Sequence, residues 1–347
     1  MTADKKKIGE LEKCYSVSPL EYNNSKHFLV ATEKDNKCFL YDLDGNVEET
    51  VWDGPGGTMS MVQVPKSNGQ FLATHRFYSP NDSKEASIVI VTPAAKGRWE
   101  VRTLVRLPFV HRFDIITVNG VNYLIACTIK SGHEYKDDWS NPGKVYAAVL
   151  PDNLEGFGDE NQLRLEVIKD GMVKNHGYYR RIENGVQSAV ISCEQGIYLF
   201  SPPEGLNENW KIEMLLPTPA SDALLLDMDE DGEEELVVFS PFHGDRLTVY
   251  KRVDGRYKAV YESAVKMEFL HAIYGGKING RPTVIVGCRG GRRGLYSMTC
   301  DKDGSYGIQE LDSDAGAANV FYYMHKDKNI VIATNREINE IAMYTLY

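Results

Sequence analysis

Short apolar runs, each ending in a small residue and then a polar one, recur along the whole chain. They cover residues 28–34, 71–76, 124–130, 189–195, 235–242, 283–290 and 330–337. Seven runs in 347 residues give a mean spacing of about 50 residues, which is typical of a four-stranded repeat unit. A second strand pattern follows each run, most units then carry a more polar strand, and turn residues lie between them. The pattern therefore predicts seven units of short antiparallel strands.

These units predict an all-β protein, a single seven-bladed β-propeller that occupies residues 1–347 as one domain. The seventh unit has no outer strand, because the chain stops at Tyr347. The strand-like segment Lys7 to Tyr15 can supply that strand and close the ring, which protects the sheet edges. The inner strand of the first unit, near Ser16 to Tyr22, is weakly marked, so six or eight blades remain as alternatives.

An acidic turn separates two of the predicted strands, Ala223 to Leu226 and Leu236 to Phe239. Carboxylates two residues apart can converge on one cation, and Gly232 permits the sharp turn. Calcium prefers six to eight oxygen ligands in a flexible geometry. The sequence predicts a structural Ca²⁺ site whose ligands are Asp227, Asp229, Asp231, Glu233 and Glu235. The alternative is a solvated hairpin tip without a metal.

Composition and charge exclude several classes of function. The net charge is −10 and the longest basic run is Lys5-Lys6-Lys7, so nucleic acid is not an expected partner. The N-terminus has no apolar core of a signal peptide, and no apolar run reaches the length of a membrane span. The six cysteines are scattered. We therefore expect a reduced, cytoplasmic protein that does not contact membranes, while the oligomeric state is left open.

In a propeller, the starts of the inner strands and the ends of the second strands meet at one mouth of the central channel. When the predicted inner strands are aligned, one column contains three histidines, one aspartate and two other residues: Met59, His111, His176, Asp222, His271 and Ala318. Six of the eight histidines belong to this mouth: His75, His111, His133, His176, His243 and His271. Only His27 and His325 are expected at the other face.

Three neutral imidazoles and a carboxylate are a suitable ligand set for zinc, manganese or iron. The sequence predicts a divalent transition metal on His111, His176 and His271, with Asp222 as a fourth ligand and His243 in reserve. Asp222 can instead orient a histidine as a hydrogen-bond partner. The alternative to a metal site is a polar funnel whose histidines bind water and backbone groups.

Further polar residues near the mouth are candidates for catalysis. A histidine, Lys130 or Tyr135 can accept a proton, and Arg76, Arg112 or Arg289 can hold an oxyanion. His75 and His133 complete the set of catalytic candidates. Two alternatives stay open, since the Gly-rich segment 287–294 can be a solvated loop and the segment 133–139 can be a structural Ω-loop.

The acidic turn Asp227–Leu236, together with the seven strand groups, resembles the FG-GAP/VCBS-repeat propeller superfamily. Within it, aldos-2-ulose dehydratase and some polysaccharide lyases are similar in having metal-containing, histidine-rich mouths, and oligogalacturonate lyase is another propeller with histidine metal ligands. The resemblance implies carbohydrate chemistry by analogy.

Two functional classes follow from the residues and from this resemblance. The first is a metal-dependent carbon–oxygen lyase or dehydratase that performs β-elimination on a sugar, keto-sugar or uronide. A hydrolase or an epimerase would use the same groups. The second is a non-catalytic propeller that binds a glycan or a protein.

Overall fold

The computed structural model describes residues 1–95, 97–205 and 208–347. In this part of the chain, seven four-stranded antiparallel sheets form the blades of a propeller. Blade 1 contains β2 (Cys14–Tyr22), β3 (Ser25–Thr32), β4 (Cys38–Asp42) and β5 (Val47–Trp52). Blade 2 contains β6 (Met61–Gln63), β7 (Phe71–His75), β8 (Ser87–Ala95) and β9 (Arg98–Arg106). Blade 3 contains β10 (Val110–Val118), β11 (Val121–Thr128), β12 (Gly143–Val149) and β13 (Glu166–Met172).

The remaining blades repeat this order from the channel outwards. Blade 4 contains β14 (Gly177–Glu183), β15 (Val186–Cys193), β16 (Gly196–Ser201) and β17 (Lys211–Leu216). Blade 5 contains β18 (Asp222–Leu226), β19 (Glu235–Ser240), β20 (Arg246–Val253) and β21 (Arg256–Glu262). Blade 6 contains β22 (Leu270–Ile278), β23 (Arg281–Cys288), β24 (Leu295–Cys300) and β25 (Tyr306–Asp312). Blade 7 contains β26 (Ala317–His325), β27 (Lys328–Asn335), β28 (Glu340–Leu346) and β1 (Ala3–Glu10), with a 3₁₀ turn at Arg336–Ile338.

The N-terminal strand closes the ring, as predicted. β1 pairs antiparallel with β28, from Ala3 opposite Leu346 to Glu10 opposite Glu340. The bounds of this strand differ from the predicted segment, because residues after Glu10 form a turn and Cys14 already begins blade 1. β1 is an outer strand whose lysines face solvent, so it lacks the apolar alternation that marks a strand in sequence.

The hydrophobic core lies between neighbouring blades. The second strand of each blade is sandwiched between the two adjacent blades, so its residues are almost continuously buried and apolar, as in Phe71–His75. One such core joins blade 3 to blade 4 and includes Ile125, Val145, Ile191 and Phe200. The recurring apolar runs of the sequence are these buried second strands.

Tight hairpins join the inner strand to the second strand in several blades. Asn119-Gly120 and Asn184-Gly185 have φ angles of 50° at asparagine and 80° at glycine. Two consecutive positive φ angles define a type I′ turn, whose twist matches that of the flanking strands. The Asn-Gly pairs therefore set the length and register of these hairpins.

Candidate functional site

Four inner strands approach the mouth with the same local conformation. A residue with a left-handed backbone lies two positions before the side chain that faces the channel. These pairs are Lys13 and Tyr15, Phe109 and His111, Lys174 and His176, and Phe269 and His271. In three of the strands the ladder also skips the channel-facing residue, which is a β-bulge: this occurs at Tyr15, His111 and His271. A bulge re-aims the extra side chain, here into the channel.

These side chains line a cavity of about 190 Å³ at the mouth. The lining brings together four of the predicted histidines with aromatic and charged residues: Tyr15, Glu33, Phe77, His111, His176, His243, Phe269, His271, Arg289 and Arg336. Asp222 is not part of this lining. The predicted convergence of the inner-strand histidines is therefore present in the fold, although the column also contains Tyr15, which the sequence analysis omitted.

His176 is held from behind by the neighbouring blade. Its Nδ1 lies 3.0 Å from Oδ2 of Asp222 and 3.2 Å from the backbone oxygen of Ser221. Both partners are acceptors, so Nδ1 carries the ring proton and Nε2 presents its lone pair to the cavity. Asp222 is buried and contacts the back of the imidazole, so it takes the orienting role that was the alternative to direct ligation.

The other inner-strand histidines are anchored in the same way. Nδ1 of His271 donates to the backbone oxygen of Ala318 at 2.7 Å, and Nδ1 of His111 donates to that of His176 at 3.3 Å. Nε2 of His271 then accepts a hydrogen bond of 3.0 Å from the hydroxyl of Tyr15. Each imidazole is thus oriented by the next blade and directs Nε2 towards the cavity.

Three of the histidines have ligand atoms close enough to share an ion. Ring nitrogens of His176, His243 and His271 all lie within 4.8 Å of one another. The two Nε2 atoms of His176 and His243 are 3.3 Å apart. Nitrogens bound to one tetrahedral zinc at about 2.0–2.1 Å are separated by about 3.3–3.4 Å, so this pair needs little movement to bind a metal.

This group of three histidines differs from the predicted histidine triplet in one member, and it does not include Asp222, the predicted fourth ligand. His111 lies outside it and packs its ring against that of His176, with 4.7 Å between the ring centres. His243 takes its place, from the loop that follows β19, and stacks on Phe242 with 3.9 Å between ring centres. The alignment of the inner strands could not show which of His111 and His243 lies closer to the other two histidines. His243 is in a loop after a second strand, and the position of such a loop relative to the inner strands is not fixed by strand register.

The environment keeps the imidazoles of His111, His243 and His271 neutral. Burial lowers the pKa of His111 and His271, and nearby positive groups lower it further. Burial, followed by the effects of His176 and Arg289, lowers the pKa of His243 to about 2. Neutral imidazole is the form that binds metals, so none of these three rings would have to lose a proton to become a ligand.

A buried ion network borders the cavity on the side of blades 6, 7 and 1. Nε of Arg289 donates to Glu337 at 2.9 Å, and its guanidinium lies 4.5 Å from the ring centre of Phe269. Arg336 donates to the same carboxylate at 2.7 Å and also pairs with Glu33. The predicted anion-binding residue Arg289 thus lies at the cavity, fixed by Glu337, which the sequence analysis did not single out.

Arg112 lies on the other side of the histidines, deeper in the channel. Its guanidinium donates to the backbone oxygen of Met59 at 2.7 Å and lies 5.6 Å from the ring centre of Tyr15. It lines a second cavity of about 600 Å³ that continues through the channel, where Asp114 pairs with Arg180. Arg112 therefore belongs to the floor between the two cavities.

Lys130, predicted to accept a proton, has a structural environment. Its side chain is completely buried, and its ammonium donates to the backbone oxygen of Asp138 at 2.8 Å and to Asn81 at 3.3 Å. The ammonium also lies 4.2 Å from the ring centre of Trp139. Lys130 does not line the mouth cavity, and these contacts fasten the loop 131–142 to the propeller.

Four further catalytic candidates also lie outside the cavity lining. His75 is buried against Trp52, with 4.7 Å between ring centres, and burial lowers its pKa to about 3. Arg76 is exposed, and Tyr135 exposes 67% of its surface to solvent. His133 packs edge-on against Phe109 with 5.7 Å between ring centres. A side chain in a loop can point away from the mouth even when its position in the sequence predicts that it lies there.

The acidic turn between β18 and β19 lies at the end of blade 5 opposite the mouth. Its backbone curls as predicted, since the two carboxylate oxygens of Asp227 accept hydrogen bonds from the amides of Asp231 and Gly232 at 3.1 and 3.0 Å. Oxygens of Asp227, Asp229 and Glu235 lie within 4.8 Å of one another. These three can contribute to a Ca²⁺ site, whereas Glu233 and Asp231 are exposed at its rim.

A lysine from the neighbouring strand already neutralises this turn. Nζ of Lys251 lies 2.5 Å from Asp229, 2.6 Å from Asp231 and 3.5 Å from the buried Oε1 of Glu235. These hydrogen bonds raise the pKa of Lys251, which therefore stays charged. Calcium would have to displace this ammonium in order to bind the turn. Lys251 lies outside the acidic motif, so the sequence analysis did not predict this competition.

Comparisons with known proteins support the fold and nothing finer. No family model matches the chain, and no curated protein matches its sequence. Among solved structures, a streptogramin B lyase has 12% identity and a TM-score of 0.59, covering 100% of this chain and 99% of its own. The β-propeller domain of Cps50 (Swd1) from Myceliophteria thermophila has 10% identity and a TM-score of 0.61, covering 99% and 100%.

A third solved structure, the Dos1 propeller, has 9% identity and a TM-score of 0.57, covering 95% of this chain and 78% of its own. At identities of 9–12% the likeness to these three structures shows the propeller fold alone. The resemblance of the acidic turn to FG-GAP/VCBS repeats stays a prediction from that motif. In the described part of the chain, no helix has the length and apolar character needed to cross a membrane.

Proposed function

We propose that the mouth binds a divalent transition metal on His176, His243 and His271, and that the protein is a metal-dependent lyase. The substrate class is a small sugar acid or keto-sugar, from which a carbon–oxygen bond is eliminated. The observation that carries the proposal is the approach of three imidazole nitrogens within 4.8 Å, two of them in the rings of His243 and His271, which burial keeps neutral.

The metal would supply Lewis acidity, which polarises a substrate carbonyl or carboxylate and acidifies the adjacent C–H bond. His111 then acts as the base, because its Nδ1 is anchored on the next blade and its Nε2 lone pair is directed into the same cavity. Negative charge that develops on the substrate favours the protonated imidazole. Arg289, which borders the cavity and is fixed by Glu337, hydrogen-bonds a substrate carboxylate.

The dimensions of the cavity limit the substrate. Its volume of about 190 Å³ is below the range of roughly 300–1,000 Å³ that is usual for sites of drug-sized ligands. A monosaccharide unit or the end of a short oligosaccharide fits this space better than the middle of a polymer. The polar lining, with two arginines and four histidines, favours an oxygen-rich and acidic ligand.

Metal binding is tested by titrating the metal-free protein with Zn²⁺ or Co²⁺ in a calorimeter. Each of His176→Ala, His243→Ala and His271→Ala is expected to weaken binding at least about tenfold, since one ligand is lost. His325→Ala is the control, because His325 pairs with Asp44 away from the mouth cavity. If the three variants bind metal as tightly as the parent does, the metal site is wrong.

Turnover is tested on uronides and 3-keto-glycosides by the ultraviolet absorbance of the conjugated product. The lyase proposal requires that activity depends on the metal and is lost in the three variants. If the activity depends on the metal but the product is hydrolysed or epimerised, the proposed metal site is retained and the reaction is a hydrolysis or an epimerisation.

A non-catalytic glycan- or protein-binding propeller is the second candidate. It is favoured by one observation: most of the cavity nitrogens have partners without any metal, since His176 pairs with His243 and His271 accepts from Tyr15. Such a site is a satisfied polar funnel. If the parent protein binds no transition metal, turns over none of these substrates and captures a ligand on a glycan array, this second function replaces the first.

A further inference from the structure

We propose that Tyr15 is a further catalytic residue of the mouth: its hydroxyl donates a hydrogen bond, and then a proton, to the leaving oxygen of the substrate. This inference rests on the function proposed above, and it adds the group that acts as the acid. Tyr15 is the residue of blade 1 that the alignment of inner strands left out.

Tyr15 occupies the same structural position as two of the histidines. Like His111 and His271, it is the second residue of an inner strand, is skipped by the ladder as a bulge, and follows a left-handed residue by two positions. The bulge aims all three side chains into one cavity. This shared irregularity gives Tyr15 the same direction as the two histidines.

The hydrogen bonding of Tyr15 changes when a metal binds. Nδ1 of His271 already donates to Ala318, so Nε2 can only accept, and the tyrosine O–H is the donor in the 3.0 Å contact. A metal held by Nε2 would take the lone pair on which that O–H depends. The hydroxyl would then need another acceptor within about 3 Å, which an oxygen of the bound substrate would supply.

The ring of Tyr15 is held so that the hydroxyl cannot turn away easily. Its side chain is 2% exposed, the guanidinium of Arg112 lies 5.6 Å from the ring centre, and the ring of His271 packs edge-on at 5.4 Å between centres. The backbone oxygen of Tyr15 is also fixed, since it accepts hydrogen bonds from Asn319 and Thr334 at 2.8 and 2.7 Å. Pre-oriented groups of this kind are effective in proton transfer.

His111 and Tyr15 together account for the protons that move in the elimination. Nε2 of His111 takes the proton from the carbon next to the carbonyl or carboxylate, and the C–H electron pair becomes the new C=C bond. The carbon–oxygen bond on the next carbon breaks, and the leaving oxygen takes the proton of Tyr15 and departs as an alcohol or water. The imidazolium of His111 returns its proton to the phenolate of Tyr15 through water, which restores both groups.

The test compares Tyr15→Phe with the parent protein, with Tyr323→Phe as the matched control, since the hydroxyl of Tyr323 donates to the backbone oxygen of Leu43 at 2.8 Å outside the mouth cavity. Co²⁺ affinity is measured by calorimetry. Acetate, the simplest carboxylate probe, is then titrated into each cobalt-loaded protein and followed by the visible spectrum of cobalt. Elimination is measured on uronides and 3-keto-glycosides.

Tyr15→Phe is expected to keep its Co²⁺ affinity or to bind about threefold to tenfold more tightly, because a competing donor has been removed. Its acetate affinity should fall by a similar factor, and turnover should fall about 10²–10⁴-fold, as for the loss of a general acid. Tyr323→Phe should match the parent in all three measurements.

Other results overturn the inference in distinguishable ways. Loss of Co²⁺ from Tyr15→Phe would make the phenol a metal ligand or a structural group. Parental acetate binding in this variant would show that the hydroxyl does not reach the bound oxygen. If the parent protein binds no Co²⁺, both the proposed function and the role of Tyr15 are wrong. If the parent binds Co²⁺ and Tyr15→Phe has parental acetate binding and turnover, only the role of Tyr15 is wrong.

Discussion

Replacing Lys251 by methionine tests whether this lysine takes the place of calcium in the acidic turn. Methionine keeps the aliphatic part of the side chain and removes the charge that lies 2.5 Å from Asp229 and 3.5 Å from Glu235. The carboxylate of Glu235 is completely buried, and Oε2 accepts only from the amide of Met228, at 2.7 Å. Without the ammonium, Glu235 is left as a buried charge beside other carboxylates.

The cost can be worked from these contacts. Loss of a charged partner for a buried group, reduced because Asp229 is partly solvated, amounts to about 2–3 kcal/mol in the free energy of unfolding. An unfolding entropy of about 2.1 cal/mol/K per residue over 347 residues converts this to a fall in Tm of about 3–4 °C. Calcium should now bind the vacated turn, and at about 100 times its Kd it returns about 2.7 kcal/mol.

The assay is thermal unfolding of both proteins in chelator and in excess Ca²⁺. The parent should respond weakly to Ca²⁺, because its ammonium competes for the same oxygens, and Lys251→Met should respond strongly. Asp229→Ala in the Lys251→Met background should remove that response. Lys258→Met is the control, since Lys258 pairs with Asp254 at an exposed position outside the turn.

If Lys251→Met is as stable as the parent in chelator, or gains no response to Ca²⁺, this lysine does not take the place of calcium. A parent protein that already responds strongly would instead show that the ammonium does not compete and that the turn binds calcium as the motif predicts.

Two further predictions concern ring closure and acid. Deleting residues 1–10 should expose the edge of β28 and cause aggregation, which light scattering after size exclusion measures; a monomeric, equally stable truncation contradicts the closing role of β1. The pKa of His75 is about 3 in the folded protein and about 6.5 in the unfolded chain. Its contribution to the free energy of unfolding is therefore complete above about pH 6.5, and it falls by about 1.4 kcal/mol per pH unit below that pH. Urea unfolding at about pH 7 and about pH 5.5 should show a smaller acid loss for His75→Gln than for the parent, and equal losses would contradict the buried neutral state of His75.

The sequence alone determined the propeller and the face on which its histidines gather. The central residues of the second strands are mostly apolar because a blade covers each side, so the repeat is visible in the pattern without any structure. Strand order then assigns every inner-strand start to one mouth, which placed His111, His176 and His271 together. The missing outer strand of the last unit likewise required the N-terminus, since an open edge is costly.

Only the tertiary structure decided which side chains meet. Tyr15 contacts His271 across 256 positions of the sequence, and the contact depends on two bulges that no local pattern marks clearly. His243 rather than His111 approaches the other imidazoles because a loop, not a strand register, sets its position. Lys251 reaches the acidic turn from the next strand, which is not part of the acidic motif. Strand periodicity is a local property, whereas the direction of a side chain at a bulge or loop is set by distant neighbours.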